Sequence, residues 1–258
     1  MSLFDMTGQV ALITGSSRGI GRAIAEEMAA QGAKVVLSSR SQDSCDKAAA
    51  EIEARHGAGC TFSMAANIGS KEELQQLVDQ TLDRFGKITA LVCNAAISPY
   101  SGPASDIPDN LFRKILDYNI LSTQWLATMV STQMIECGDG SITIVSSIAG
   151  LSGSANMSAY SISKAGDIQL TKNLAVELGR NGIRVNCIAP GPIETFMTQG
   201  LIKSPDFARK TIAATCLKRM GRPEDIAGAA IFFASAAGRF TTGQTLACDG
   251  GSTVVGLG

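Results

Sequence analysis

The stretch Thr14-Gly15-Ser16-Ser17-Arg18-Gly19-Ile20-Gly21 constrains this chain more than any other. Val10-Ala11-Leu12-Ile13 before it has the length and uninterrupted apolarity of a strand buried on both faces. Ile20 to Met28 after it repeats apolar residues at helical spacing. The local order is therefore strand, glycine turn, helix. Gly15, Gly19 and Gly21 allow a tight turn, a close approach of backbone to a ligand, and near packing of helix on strand. The unpaired N–H groups at such a helix start face an anion, most simply a phosphate. Glycines are common in ordinary loops, but placement between strand and helix favours dinucleotide binding over a plain turn.

The rest of the chain is compatible with that start. Strand and helix patterns alternate: a helix ending near Gly32, a strand at Lys34–Leu37, a helix over Asp43–Ala54, a strand at Cys60–Met64, a helix over Lys71–Phe85 and a strand at Ala90–Cys93. A single long helix is expected from Asp109 to Ile135, then a strand at Ile142–Val145, a helix over Ala159–Leu178, and strands at Arg184–Ala189 and Gln244–Cys248. Such alternation predicts an α/β fold, a doubly wound, seven-stranded parallel sheet with helices on both faces and right-handed crossovers. At 258 residues one Rossmann-type domain is expected to hold the whole chain. Pro192 to Gly221 shows no clear element; it begins past a strand's carboxyl end, and residues 192–221 read as a substrate lid. No element is assigned between Gly221 and Gln244.

Composition removes several function classes. A net charge of -1 gives no long-range attraction to nucleic acid or to an anionic membrane, and no apolar run reaches the ~20 residues of a span. With no signal-peptide pattern at Met1–Thr7, a cytoplasmic location is expected. The seven cysteines include no C-x-x-C pair, and Cys93, Cys187 and Cys248 fall in apolar runs, so they read as reduced core residues. The single histidine, His56, reads as a solvated residue near a helix end, which leaves no place for a serine-histidine triad or a multi-histidine metal site. No metal is expected.

Chemistry concentrates at the strands' carboxyl ends. Ser146-Ser147 closes the fifth strand, and Tyr160 and Lys164 stand four apart in the next helical pattern, on one helix face. Alone, such a pair is an exposed contact worth a few tenths of a kcal/mol. Beside a nucleotide turn it gains another reading. Bringing a phenol from a pKa of ~10 to neutrality takes about 4 kcal/mol, which an ammonium at ~4 Å supplies at an effective dielectric of ~20.

These motifs resemble the classical short-chain dehydrogenase/reductase family along nearly the full chain. The resemblance rests on Thr14-Gly15-x-x-x-Gly19-x-Gly21, Asn94-Ala95, Asn119, Ser147, Tyr160-x-x-x-Lys164 and Pro190-Gly191-x-x-x-Thr195. It implies Tyr160 as general acid/base, Ser147 hydrogen-bonding the substrate oxygen, Lys164 holding the nicotinamide ribose and lowering the Tyr160 pKa, and Asn119 supporting a water relay. It implies cofactor contacts at Ser17, Arg18, Ile20 and Ile68 as well as the glycines. Asn94 and Ala95 would pass the adenosine ribose, and Pro190, Gly191, Ile193 and Thr195 the carboxamide. Two positions depart from the family pattern: Ala96 replaces the usual glycine, and Asn67 the usual adenine-contacting aspartate. The resemblance also implies a homotetramer built on the long helix and the Tyr160 helix.

NADP(H) is expected over NAD(H). Where an NAD-selective site carries a carboxylate on the ribose, this chain has Ser39-Arg40, and with Arg18 these can meet a 2′-phosphate. The expected substrate is a small or medium-sized, largely apolar ketone or secondary alcohol. Ile97 to Tyr100, Leu151 to Met157, and Phe196, Met197 and Leu201 would line its pocket. Ile135-Glu136-Cys137-Gly138-Asp139 and Asn181 are poor landing sites for an acidic carrier protein, although Arg209 and Lys210 keep an anionic or 3-oxoacyl-thioester substrate in view. A rival of another class is a non-catalytic nucleotide sensor on the same fold; the intact Asn119, Ser147, Tyr160, Lys164 set argues against it.

Overall fold

The computed structural model describes residues 2–196, 198 and 204–254. Seven parallel strands form one sheet in the order β3-β2-β1-β4-β5-β6-β7: β1 (Val10–Thr14), β2 (Lys34–Ser39), β3 (Thr61–Ala65), β4 (Ala90–Cys93), β5 (Gly140–Val145), β6 (Ile183–Pro190) and β7 (Thr245–Cys248). The expected sheet is observed. β1, β4 and β5 are buried along their whole length, as strands covered on both faces must be.

One face carries α1 (Gly19–Ala30), α2 (Gln42–His56) and α8 (Glu224–Ala234). Ile24 and Met28 of α1, one turn apart, pack there with Ile13, Leu37, Ile52 and Phe233. The other face carries α3 (Lys71–Phe85), α5 (Ser122–Cys137) and α6 (Ser158–Leu178) over Leu12, Val36, Leu91 and Ile142. Local chemistry sets the helix ends. The Ser70 hydroxyl accepts from the Glu73 N–H at the start of α3, and Gly86 closes it at φ +75°.

Three elements differ from expectation. The long helix is interrupted: α4 (Asp109–Leu116) passes through a π-turn at Asp117–Leu121 before α5 begins. Apolar spacing runs on through such a turn, so periodicity alone does not reveal it. The stretch between Pro192 and Gly221, to which no element was assigned, contains α7 (Pro205–Ala213). α8 lies where no element was assigned. It starts after Pro223 with Glu224 and Asp225 in its first turn, and Ile226, Ala227, Ala230, Ile231, Phe233 and Ala234 are all buried. A helix held between α1 and the sheet is apolar nearly all round, so its stripe is lost.

Strand order reverses at β1, which pairs with β2 on one side and β4 on the other. Successive crossovers leave to opposite faces there, and a crevice opens beyond the carboxyl ends of β1 and β4. Gly15 and Asn94 lie at its two lips.

Candidate active site

The glycine turn is held by side chains on all sides. Gly15 and Gly19 take φ +67° and +60°. A Cβ on Gly21 would stand 2.5 Å from Asn94 Nδ2 and 2.6 Å from the Gly15 carbonyl, so only glycine fits. The buried Ser16 hydroxyl donates to the Ile13 carbonyl at 2.7 Å and accepts from the Ser38 N–H at 2.9 Å, fastening the turn to β2. Asn94 Nδ2 donates to the Thr14 carbonyl at 2.9 Å. The Thr14 hydroxyl accepts from the Asn94 and Ala95 N–H groups, each at 3.1 Å, fastening the turn to β4. Asn94 thus serves the turn itself. Arg18 caps α1 without a side-chain hydrogen bond, so the first amides of that helix keep no side-chain acceptor from the cap. The cradle fits a pyrophosphate: amide donors, the positive end of a helix dipole, and no Cβ in the way.

At the adenosine end, Ser39 is half-buried and its hydroxyl lies 3.1 Å from Cys45 Sγ, while Arg18 and Arg40 are exposed. The Arg18 guanidinium stacks on Phe196, 3.9 Å from the ring centroid, bridging the crevice to the lid region. Asn67 makes a local turn: its Oδ1 accepts from the Gly69 N–H at 3.1 Å, and its own N–H donates to Glu73 of α3 at 2.8 Å. Ile68 beside it is buried, while Ala96 stands half-exposed on the β4 side.

At the nicotinamide end, Pro190 closes β6 against Cys248 of β7. Gly191 passes so close to Asp249 that an added Cβ would lie 2.6 Å from its Cα. Ile193 bridges to Gly221, and the Thr198 hydroxyl binds the Ile193 carbonyl at 2.7 Å and the Thr195 N–H at 2.9 Å. The backbone of Ile193–Thr195 is thereby fixed beside Gly19, whose Cβ would meet Thr195 Cγ2 at 3.7 Å. Met197 and Leu201 lie outside the described residues.

Asn119, Ser147, Tyr160 and Lys164 sit on the π-turn, on the residues after β5 and on α6, three segments packed on one another. Asn119, 1% exposed, sits in the π-turn. The widened turn aims its amide at β4's loop and at α6. Its Oδ1 accepts from the Ile97 N–H at 2.8 Å, and Nδ2 donates to the Ile97 carbonyl and to Ser163 Oγ, each at 3.0 Å. Ser163 in turn donates to the Tyr160 carbonyl at 2.7 Å. Ser147 follows β5 and accepts from the Ala149 N–H at 3.1 Å; the neighbouring Ser146 hydroxyl donates to the Lys164 carbonyl at 2.7 Å. Lys164 Nζ stands 5.9 Å from the Tyr160 ring centroid. The substrate side is bounded by two loops joined by a bridge from Gly102 to Met157.

Lys164 has a partner the sequence reading did not name. Its ammonium donates to Asp167 Oδ2 at 2.8 Å and to the Val145 carbonyl at 3.0 Å, with both charged side chains buried. Burial pulls the lysine's pKa down, but the negative charge of Asp167 and the nearby Tyr160 outweigh it and hold it above its ordinary value. Burial pushes the Asp167 carboxyl up against the pull of Lys164. The i, i+3 spacing that joins the two was visible in the sequence; their shared burial was not. Ser16 and Ser163 were likewise missed, since small hydroxyls carry no signal until a carbonyl is placed beside them.

Comparisons agree with this geometry. Residues 15–253 match a family model described as Enoyl-(Acyl carrier protein) reductase, adh_short_C2. The chain is similar to Dehydrogenase/reductase SDR family member 4 of Bos taurus, 39% identical over 96% of this chain and 88% of the relative. It is also similar to the 7alpha-hydroxysteroid dehydrogenase of Escherichia coli K12, 36% identical over 95% of this chain and 94% of that one. The crystal structure of levodione reductase superposes with a TM-score of 0.93 at 31% identity, covering 97% of this chain and 100% of that one. The expected fold and family are both borne out, and with them a nicotinamide cofactor and oxidoreductase chemistry between CH–OH and C=O: this chain belongs to the short-chain dehydrogenase/reductase family.

Proposed function

We propose that this protein is an NADP(H)-dependent oxidoreductase that interconverts a free, largely apolar ketone and its secondary alcohol, with Tyr160 as general acid/base. The reading is supported by Lys164 Nζ standing 5.9 Å from the Tyr160 ring on α6, with Asn119 bonded to Ser163 of that helix and Ser147 following β5, together with a glycine cradle that fits a pyrophosphate. The bound nicotinamide supplies hydride transfer to or from the carbon bearing the oxygen. In the reducing direction Tyr160 Oη gives its proton to that oxygen, and the Ser147 hydroxyl donates a hydrogen bond to it as negative charge develops. Lys164 keeps positive charge near the phenol, 5.9 Å from its ring centroid. Asn119 holds the Ile97 loop and α6 together so that these groups keep their spacing. Residues 192–221 act as the substrate lid of one Rossmann-type domain.

The preference for NADP(H) rests on Arg18, Ser39 and Arg40 around the ribose position. Asp43, the nearest acid along the sequence, belongs to the first turn of α2, where it complements the helix dipole. Kinetics with both cofactors test this: a higher kcat/KM with NADH than with NADPH would overturn it. Tyr160→Phe should abolish turnover while NADPH still binds. More than about a tenth of wild-type kcat would reject Tyr160 in this role, since such groups contribute 10²- to 10⁴-fold.

A 3-oxoacyl-thioester reductase is the second reading; the description of the matching family model names an acyl carrier protein, although for an enoyl substrate. Against it, Arg209 and Lys210 of α7 both pair with Asp206, at 2.7 and 2.8 Å, which leaves the three with one net positive charge instead of two. Kinetics with a cyclic ketone, a 3-oxoester and a 3-oxoacyl carrier protein, side by side, distinguish the two. Assembly as a homotetramer is supported by Val176 on α6, 85% exposed, with Ile162 and Leu121 also uncovered. Light scattering that gives a monomer at micromolar concentration would count against it.

A further inference from the structure

We propose that Asp167 is a positioning residue of the reaction centre: its buried carboxylate holds Lys164 as an ammonium, in place, for Tyr160. The inference rests on the reading of Tyr160 and Lys164 given above and adds a member to that set. It starts from burial. Lys164 and Asp167 are 3% and 1% exposed, at depths where charged side chains are almost never found unpaired. Their contact is 2.8 Å, one helical turn apart on α6. A second donor of the ammonium goes to the Val145 carbonyl, leaving one N–H for a ribose hydroxyl. The lysine stem therefore has its direction set at two points before any cofactor arrives.

Among the described residues the Asp167 carboxylate is the counter-charge bonded to the ammonium, and Tyr160 adds to its effect on the pair. The titratable groups that interact with it are Tyr160 on the same helix, Cys93 on β4 and Cys187 on β6. Burial pushes the Cys187 thiol up to about 11 and Cys93 upward as well, so both are neutral at physiological pH. The π-turn packs on α6 with the neutral Asn119 amide bonded to Ser163. Asp167 Oδ1 is buried with no hydrogen-bond partner among the described residues, so packing and Oδ2 alone hold the carboxylate on the lysine. Without that charge, burial would drive the lysine toward the neutral amine, and the phenol would lose its cation.

The consequence is readable in the pH profile. In alcohol oxidation the base must be free of its proton, so kcat/KM rises with pH along an acidic limb. Asp167→Asn keeps the shape and a hydrogen-bond acceptor but removes the charge. We expect the acidic limb to move to higher pH by roughly one unit or more, with NADPH affinity kept within a few-fold. Asp167→Glu should return the limb toward wild type. In a Lys164→Ala background Asp167→Asn should leave the limb where that variant has it. An unmoved or downward-moved limb in the single variant, or an equal upward shift in the Lys164→Ala background, would overturn the proposal. If Asp167→Asn does not fold, the wild-type protein with NADPH carries the test. The Lys164 ¹⁵Nζ resonance should remain wholly that of an ammonium at pH 9, and a neutral fraction there refutes it. Tyr160→Phe serves as the reference: if it stays active the underlying reading fails, whereas an inactive Tyr160→Phe with an unmoved Asp167→Asn limb sinks only the role of Asp167.

Discussion

Replacing Asn119 by alanine tests whether the π-turn is the clamp that assembles the site. The amide makes three hydrogen bonds, one from the Ile97 N–H at 2.8 Å and two donated at 3.0 Å, to the Ile97 carbonyl and Ser163 Oγ. Alanine strands the Ile97 N–H and carbonyl, and each unmet buried group costs about 1–3 kcal/mol. Ser163 still donates to the Tyr160 carbonyl, so its loss is smaller. Because Ile97 is only half-buried, water can recover part of the cost, and the net expectation is about 2–4 kcal/mol. For a chain of this size that corresponds to a fall in Tm of roughly 4–16 °C. Scanning fluorimetry measures it, and initial rates with a fixed ketone should fall at least tenfold as the Ile97 loop and α6 separate. Asn119→Asp makes a sharper comparison. It keeps the acceptor for the Ile97 N–H but sets a carboxylate oxygen against the Ile97 carbonyl. Burial then raises that carboxyl's folded-state pKa above its unfolded one, so the variant binds more protons when folded and its stability falls as pH rises. The deficit should be larger at pH 8 than at pH 5. A Tm for Asn119→Ala within 2 °C of wild type would refute the clamp.

Other outcomes follow from the same contacts. Ser16→Ala orphans the buried Ser38 N–H and leaves the glycine turn held to β2 there by the backbone bond from the Ser16 N–H to the Ser38 carbonyl at 3.1 Å. It should raise KM for NADPH severalfold with little change in kcat, as saturation titrations would report. Gly21→Ala places a methyl 2.5 Å from Asn94 Nδ2 and should abolish cofactor binding measured by fluorescence quenching, with wild-type affinity as the contrary result. Phe196→Ala removes the ring under Arg18, and a contact of this exposed kind is worth about 0.5–1 kcal/mol. NADPH dissociation should change two- to fivefold in stopped flow, and no change would show the stacking to be idle. The Arg219 guanidinium and the Arg222 N–H hold the Asp225 carboxyl down to about 2. That depressed pKa gives stability present above the unfolded value near 4 and lost as pH falls toward 2; solvent exposure limits it to below about 1 kcal/mol. Denaturant midpoints of wild type and Asp225→Asn should therefore differ at pH 6 and converge by pH 2, and a difference that persists at pH 2 would exclude this origin.

What the sequence determined by itself was everything written in short-range pattern. Val10–Ile13 needs two covered faces, glycines at 15, 19 and 21 need a turn with no room for a Cβ, and strand-helix alternation leaves a parallel sheet as the way to bury both. Tyr160 and Lys164 share a face because the helical repeat puts them there. All of these depend on neighbours within a turn or two. What only the tertiary structure decided depends on residues far apart along the chain. The π-turn at Asp117–Leu121 follows from Asn119 meeting Ile97 and Ser163, and nothing in the local apolar spacing distinguishes it from plain helix. α8 has no polar face to betray it, because α1 and the sheet cover it from two sides. The Asn94 amide also ties the loop after β4 to Thr14, eighty residues earlier, a contact that its place in the motif does not show. Asp167 resembles any helical acid until β4, β5 and β6 close over it. Burial is set by the packing of the whole chain, and it turns an ordinary i, i+3 spacing into an enclosed ion pair.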